Sequence, residues 1–99
     1  MADLLILEFS APEAVELYTQ VNKLIGIDPS TNAGDWPAGL LTHQAGGEGD
    51  SLFVVESWES RAAQEEFMST RLGPAFGQAN VPPPARVTWL PQVGSWQRG

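Results

Sequence analysis

Apolar residues along this chain switch between two periods, and the switches mark its elements. Asp3–Phe9, "DLLILEF", is a short unbroken apolar run, the pattern of a strand covered on both faces. From Ala14 the period lengthens, and Ala14, Leu17, Val21, Leu24 and Ile25 fall along one side of a helix. Ser10, with Glu13 three residues on, fits a capping box at its start, and Gly26 is a natural stop. "IDPSTNAGDWP", Ile27–Pro37, is dense in turn formers and reads as a loop whose Trp36 must cover something. Ala38–Ala45 and Ser51–Trp58 return to strand patterning, and the "GGEGD" between them predicts an antiparallel hairpin. A second helix opens after Ser60, with Phe67, Met68, Arg71 and Leu72 along one side. Gly73-Pro74 should break or kink it, because proline lacks an amide donor and crowds the preceding turn. "VPPP" is a stiff connector to a last strand, Ala85–Val93.

The order β-α-β-β-α-β predicts a ferredoxin-like α+β domain over residues 1–93, followed by a tail, 94–99, without readable structure. Its four-stranded antiparallel sheet carries both helices on one face. The strands "LLILEF" and "LFVV" are nevertheless apolar on both sides, where a sheet with one wet face would alternate cleanly. The uncovered face must therefore pack on something, and a second copy of the chain, a homodimer, is the simplest cover.

Charge narrows the partners. The formal net charge is −7 with only five basic residues, so a nucleic-acid backbone or an anionic membrane is repelled. There is no cysteine, which excludes thiolate chemistry and disulfides and suits a reducing cytoplasm. The apolar run near the N-terminus stops at Glu8 with no basic flank, so a cytoplasmic location is expected.

The segments "GLLTHQAG", "VVESWES", "RLGPAF" and "VPPPARVTWLP", in this order, resemble the dimeric α+β barrel superfamily, and within it proteins of the antibiotic-biosynthesis-monooxygenase type. The resemblance implies a homodimer whose two sheets face each other as a barrel, with a small pocket between sheet and helices in each half. Members include cofactor-independent oxygenases of aromatic polyketides, haem-degrading enzymes and polyketide cyclases. In the haem-degrading members a tryptophan closes the third strand, a position matched by Trp58, and a histidine near the end of the second helix ligates iron. That second position falls in "FGQAN", where this chain carries Asn80, and an amide is not a practical haem ligand. The resemblance thus implies a small barrel protein that binds an aromatic or polyketide-like molecule without a cofactor, as a monooxygenase-type oxidoreductase. A non-catalytic ligand-binding or structural dimer, and a polyketide cyclase or isomerase, remain alternatives.

The hairpin supplies the candidate chemistry. A four-residue loop, Gly47–Asp50, would set Ala45 opposite Leu52, His43 opposite Val54, Leu41 opposite Glu56 and Gly39 opposite Trp58. His43, Glu56 and Trp58 would then line one surface, taken as the barrel-facing one, and a slip of one residue would send His43 to the other. His43 and Glu56 together can serve as a general base or proton relay for an acidic phenol or a 1,3-dicarbonyl. Trp58, Trp89 and Phe76 offer flat walls for an aromatic ligand, and Arg71 offers a cation for a ligand carboxylate. Each also has a structural reading: His43 as a hydrogen-bonded strand residue, Glu56 as a partner for Arg71 or Arg86, Trp58 as core, Arg71 in a helix salt bridge. One histidine and scattered acids do not suggest a metal site, and neither a phosphate-binding glycine loop nor a nucleophile elbow occurs.

Overall fold

The computed structural model describes residues 2–96 and residue 98. The expected tail therefore lies partly outside the described residues. The chain runs β1 (Asp3–Ser10), α1 (Ala14–Ile25), β2 (Ile27–Asp28), β3 (Ala33–Gly34), β4 (Leu40–Glu48), β5 (Ser51–Trp58), α2 (Arg61–Phe67), α3 (Gly73–Ala79) and β6 (Arg86–Pro91). Four strands form one antiparallel sheet in the order β4-β5-β1-β6, the ferredoxin-like arrangement, with the helices on one face. Among the described residues no helix is long and apolar enough to cross a membrane.

The core lies between sheet and helices. Leu5, Leu7 and Phe9 of β1 and Leu52, Val54 and Trp58 of β5 meet Ala14, Val21 and Ile25 of α1 and Phe67 and Ala75 of the second helical segment. Leu5 is 1% exposed, so truncating it to alanine would cost roughly 2–5 kcal/mol. The opposite sheet face is open and apolar over Phe53, Val55 and Leu90, which are exposed beside the half-buried Leu4 and Ile6, while Ser57 on the same face is buried. β1 is thus fully buried on one side only.

Three local expectations change. Ser10 does not cap α1; it stays in β1, paired with Ser51, and Ala11 N–H donates to the Asp50 carbonyl at 2.9 Å. The ladder claims the residue that the capping box needed, and α1 begins after Glu13, held at φ 59 with no side-chain cap. The loop after α1 contains a two-stranded ribbon, β2 with β3, in which Ile27 pairs with Gly34. Gly73-Pro74 does not break the second helix. Met68–Leu72 widens into a π-helical turn, with Gly73 N–H donating to the Met68 carbonyl five residues back. The wider turn gives the Pro74 ring room against the preceding turn, so α3 continues the helical course. Two expected caps are present: the Ser60 hydroxyl accepts from Ala63 N–H at 3.2 Å, and Gly26 closes α1 at φ 78.

Candidate functional site

The hairpin that carries the candidate residues turns more tightly than its glycines suggest. Only Gly49 and Asp50 form the connection, with Glu48 opposite Ser51 and Gly49 at φ 62. His43 therefore sits opposite Glu56, two residues along from the expected register. Because side chains alternate with a period of two, that shift leaves His43, Glu56 and Trp58 on a common face. A bulge at Leu41 then puts Leu40 opposite Trp58. The common face is the one beneath the helices, not the barrel-facing side. Leu52, Val54, Glu56 and Trp58 are all buried there, while Phe53 and Val55 point outward.

On that face the polar groups form one line. Trp58, wholly buried, donates its indole N–H to Glu56 Oε1 at 2.9 Å. Glu56 Oε2 accepts from His43 Nδ1–H at 2.7 Å, and both side chains are about nine-tenths buried, at 10% and 11% exposure. The Tyr18 hydroxyl, projecting from α1, donates to His43 Nε2 at 2.6 Å. These directions follow from chemistry. An indole N–H can only donate, and a carboxylate taking two donors holds the imidazole proton on Nδ1, leaving Nε2 as acceptor. A buried carboxylate with two such donors is compensated, whereas an unpaired one would not be tolerated. Burial pushes the Tyr18 phenol above its ordinary value; the Asn22 side chain opposes that rise and the Glu56 charge adds to it.

The line ends at an apolar cavity of about 70 Å³ between α1, the second helical segment and the sheet. Leu7, Phe9, Val21, Ile25, Val54 and Phe76 are among its walls, and Tyr18, Asn22, His43 and Glu56 make its polar end. Trp36, from the segment before β4, closes this end, its ring 5.5 Å from that of His43. Among the described residues no group of three or more His, Asp or Glu is placed to hold a metal ion.

The other sequence candidates scatter. Phe76 lines the cavity, edge-on to Phe9 at 5.9 Å. Trp58 lies behind the cavity, packed on the lining residue Phe67 at 5.9 Å, and joins the polar line through Glu56. Gly39 abuts the indole at φ 88, where a Cβ would fall 2.7 Å from that of Ala63. Trp89 faces the helices from β6, half-buried, with the Arg61 guanidinium 5.2 Å over its ring. Arg71 points to the loop after α1 and donates to the carbonyls of Ile25 and Asp35, each at 2.6 Å. Asn80 is exposed and ends α3 at φ 56.

Sequence reasoning missed Tyr18, Asn22 and the placement of Trp36. The inward stripe of α1 is Ala14, Leu17, Tyr18, Val21, Asn22 and Ile25, whereas Leu24 is 50% exposed. Steps of three and four residues from Ala14 would have found Tyr18 and Asn22, had polar residues been admitted to the core face.

No protein-family model matches the chain, and no curated protein does. Solved structures do match its fold. Rv0793 from Mycobacterium tuberculosis superposes with a TM-score of 0.67 at 18% identity, covering 98% of this chain and 100% of that one. PA3566 from Pseudomonas aeruginosa gives 0.63 at 20% identity, covering 94% and 95%. An antibiotic biosynthesis monooxygenase gives 0.62 at 17% identity, covering 95% and 100%. At these identities the likeness concerns fold, and it extends over nearly the whole of each chain. The chain therefore has the fold of the antibiotic-biosynthesis-monooxygenase type, a ferredoxin-like sheet with its helices on one face.

Proposed function

We propose that this protein binds a small neutral molecule, a single-ring phenol or a 1,3-dicarbonyl, between sheet and helices and removes a proton from it. The observation that carries this reading is the hydrogen-bonded line Tyr18–His43–Glu56–Trp58, ending at an otherwise apolar cavity. A histidine backed by a carboxylate is a general base whose tautomer is preset. The resulting phenolate or enolate is electron-rich enough to pass an electron to dioxygen. One oxygen atom then enters the ligand and the other leaves as water with two of the ligand's own hydrogens, so the ligand supplies every electron and no cofactor is needed. A cyclase or isomerase would use the same proton transfer without oxygen. Two such chains, joined through the open sheet face of Ile6, Phe53, Val55 and Leu90, form the homodimer in this reading.

Oxygen uptake with a panel of small hydroquinones tests the enzyme reading. Uptake should occur with the wild type and fall in Glu56→Gln and His43→Ala. No uptake, or uptake indifferent to both substitutions, defeats it. The dimer is tested separately by light scattering at micromolar concentration, where Phe53→Lys with Val55→Lys should yield monomers. A wild-type monomer would overturn it.

The alternative is a dimer whose interior is filled by its own side chains, and the cavity volume favours it. A cavity of about 150 Å³ is known to hold benzene, and about 70 Å³ admits a ring only if a wall moves. On that reading no aromatic probe binds at all.

A further inference from the structure

We propose that Tyr18, and not His43, is the group that meets the ligand, with His43 and Glu56 acting behind it as proton acceptor and orienter. This rests on the reading of the cavity as a ligand site. Both imidazole nitrogens are already engaged: Nδ1 donates to Glu56 Oε2 at 2.7 Å and Nε2 accepts from the Tyr18 hydroxyl at 2.6 Å. A histidine with no free nitrogen cannot reach a third group without breaking one of those bonds. The Tyr18 oxygen, in contrast, gives its proton to His43 and is approached by one further donor, the Asn22 side chain. A hydroxyl oxygen accepts twice, so one lone pair remains for a ligand at the cavity's polar end.

The proton transfer follows without rearrangement. The ligand O–H gives its proton to the Tyr18 oxygen as the Tyr18 proton passes to His43 Nε2. The O–H bond of the ligand breaks and a new phenol O–H forms. The imidazole becomes an imidazolium held against the Glu56 carboxylate, and nothing is oxidised or reduced. Glu56 is fixed in turn by the Trp58 indole, which gives Trp58 a positioning role from behind the cavity.

The lining also selects the ligand class. Among the described residues around the cavity there is no lysine or arginine, and the one carboxylate belongs to Glu56. A ligand that arrives charged is therefore disfavoured: an anion meets no cation, and a cation meets apolar walls and a carboxylate already taken by two donors. The favoured ligand enters neutral, and its conjugate base must spread its own charge over a ring or a second carbonyl. Phenols, hydroquinones and enols satisfy both conditions; benzoates and phosphates do not.

The chain has one tyrosine and one histidine, so both groups can be followed without ambiguity. The first measurement is the nitrogen NMR of His43 in the free protein. A proton on Nδ1 with Nε2 unprotonated is expected; a proton on Nε2 would make Tyr18 the acceptor and overturn the proposal. The second is titration of wild type and Tyr18→Phe with phenol, toluene and benzoate, followed by amide shifts of cavity residues. Phenol should bind about tenfold more weakly to Tyr18→Phe, the loss of one buried hydrogen bond, while toluene binds both proteins equally. Benzoate should bind neither. Equal phenol affinity in the two proteins, or a parallel loss for toluene, would show that Tyr18 does not hold the ligand hydroxyl and leave the cavity itself as a ligand site. Failure of both phenol and toluene to bind the wild type would remove the ligand site and this role together.

Discussion

Replacing Glu56 with glutamine should reverse the two hydrogen bonds of His43 while leaving the buried line closed. The carboxylate accepts twice, from Trp58 Nε1–H at 2.9 Å and from His43 Nδ1–H at 2.7 Å. An amide cannot do so on two different atoms. Its oxygen can keep the indole, which can only donate, and its NH₂ must then donate to His43 Nδ1. The imidazole proton moves to Nε2, and Tyr18 turns from donor to acceptor. Two charge-assisted bonds become neutral ones, a loss of roughly 1 kcal/mol each. Because an amide is cheaper to bury than a carboxylate, the net cost is at most about 2 kcal/mol. Glu56→Ala strands two buried donors instead, at roughly 1–3 kcal/mol each, for a total of about 4 kcal/mol. Urea unfolding at constant m-value gives both costs, and nitrogen NMR of the single histidine gives the tautomer. If the glutamine variant kept the proton on Nδ1, or lost as much stability as the alanine variant, the assigned directions of these hydrogen bonds would be wrong. The glutamine variant should also lose any proton-abstracting activity while remaining folded, since Nε2 could no longer receive the Tyr18 proton.

Trp36→Ala should cost about 1–2 kcal/mol of stability, since the indole is only half-buried, and should tighten toluene binding several-fold by widening the cavity. Unchanged affinity in the NMR titration would mean that another wall limits the volume. Arg71→Met should remove the donors to the Ile25 and Asp35 carbonyls, costing about 1 kcal/mol, and should speed amide exchange in the β2–β3 ribbon. Both bonds come from one nitrogen, Nη2, so lysine, whose ammonium carries three donors, should restore part of that protection. The Tyr18 phenol, raised above its ordinary 10.0, should titrate late in an ultraviolet pH titration that reads it alone. The unfolded chain then loses the proton first, so stability is flat below about pH 10 and falls as pH rises toward the folded value. Tyr18→Phe should abolish that alkaline loss, and an equal loss in both proteins would assign it elsewhere.

Much of the fold is legible in local pattern. The strand of Asp3–Phe9, the helix stopped by Gly26, the hairpin around "GGEGD" and the Ser60 cap each follow from periodicity or turn chemistry within a few residues. The double-sided apolar strands likewise foretell the open face of Phe53 and Val55. The errors have two sources, a distant partner in one case and a local change of helix type in the other. Ser10 is taken by the β1–β5 ladder rather than the helix cap, and the Pro74 ring is accommodated by a π turn rather than a break.

The candidate site divides in the same way. Glu56 and Trp58 share a face by parity alone, and His43 joins them in any register an even number of residues from the expected one, as the observed shift of two is. The sequence does not determine which layer covers that face, nor the tyrosine that completes the line. Tyr18 and His43 are 25 residues apart, and they meet only because α1 crosses the sheet above β4 and β5. Strand parity is a property of the local backbone, readable from spacing. The packing of a helix over a sheet is settled by the sum of apolar contacts across the whole core, and only that sum brings the Tyr18 hydroxyl to the His43 ring.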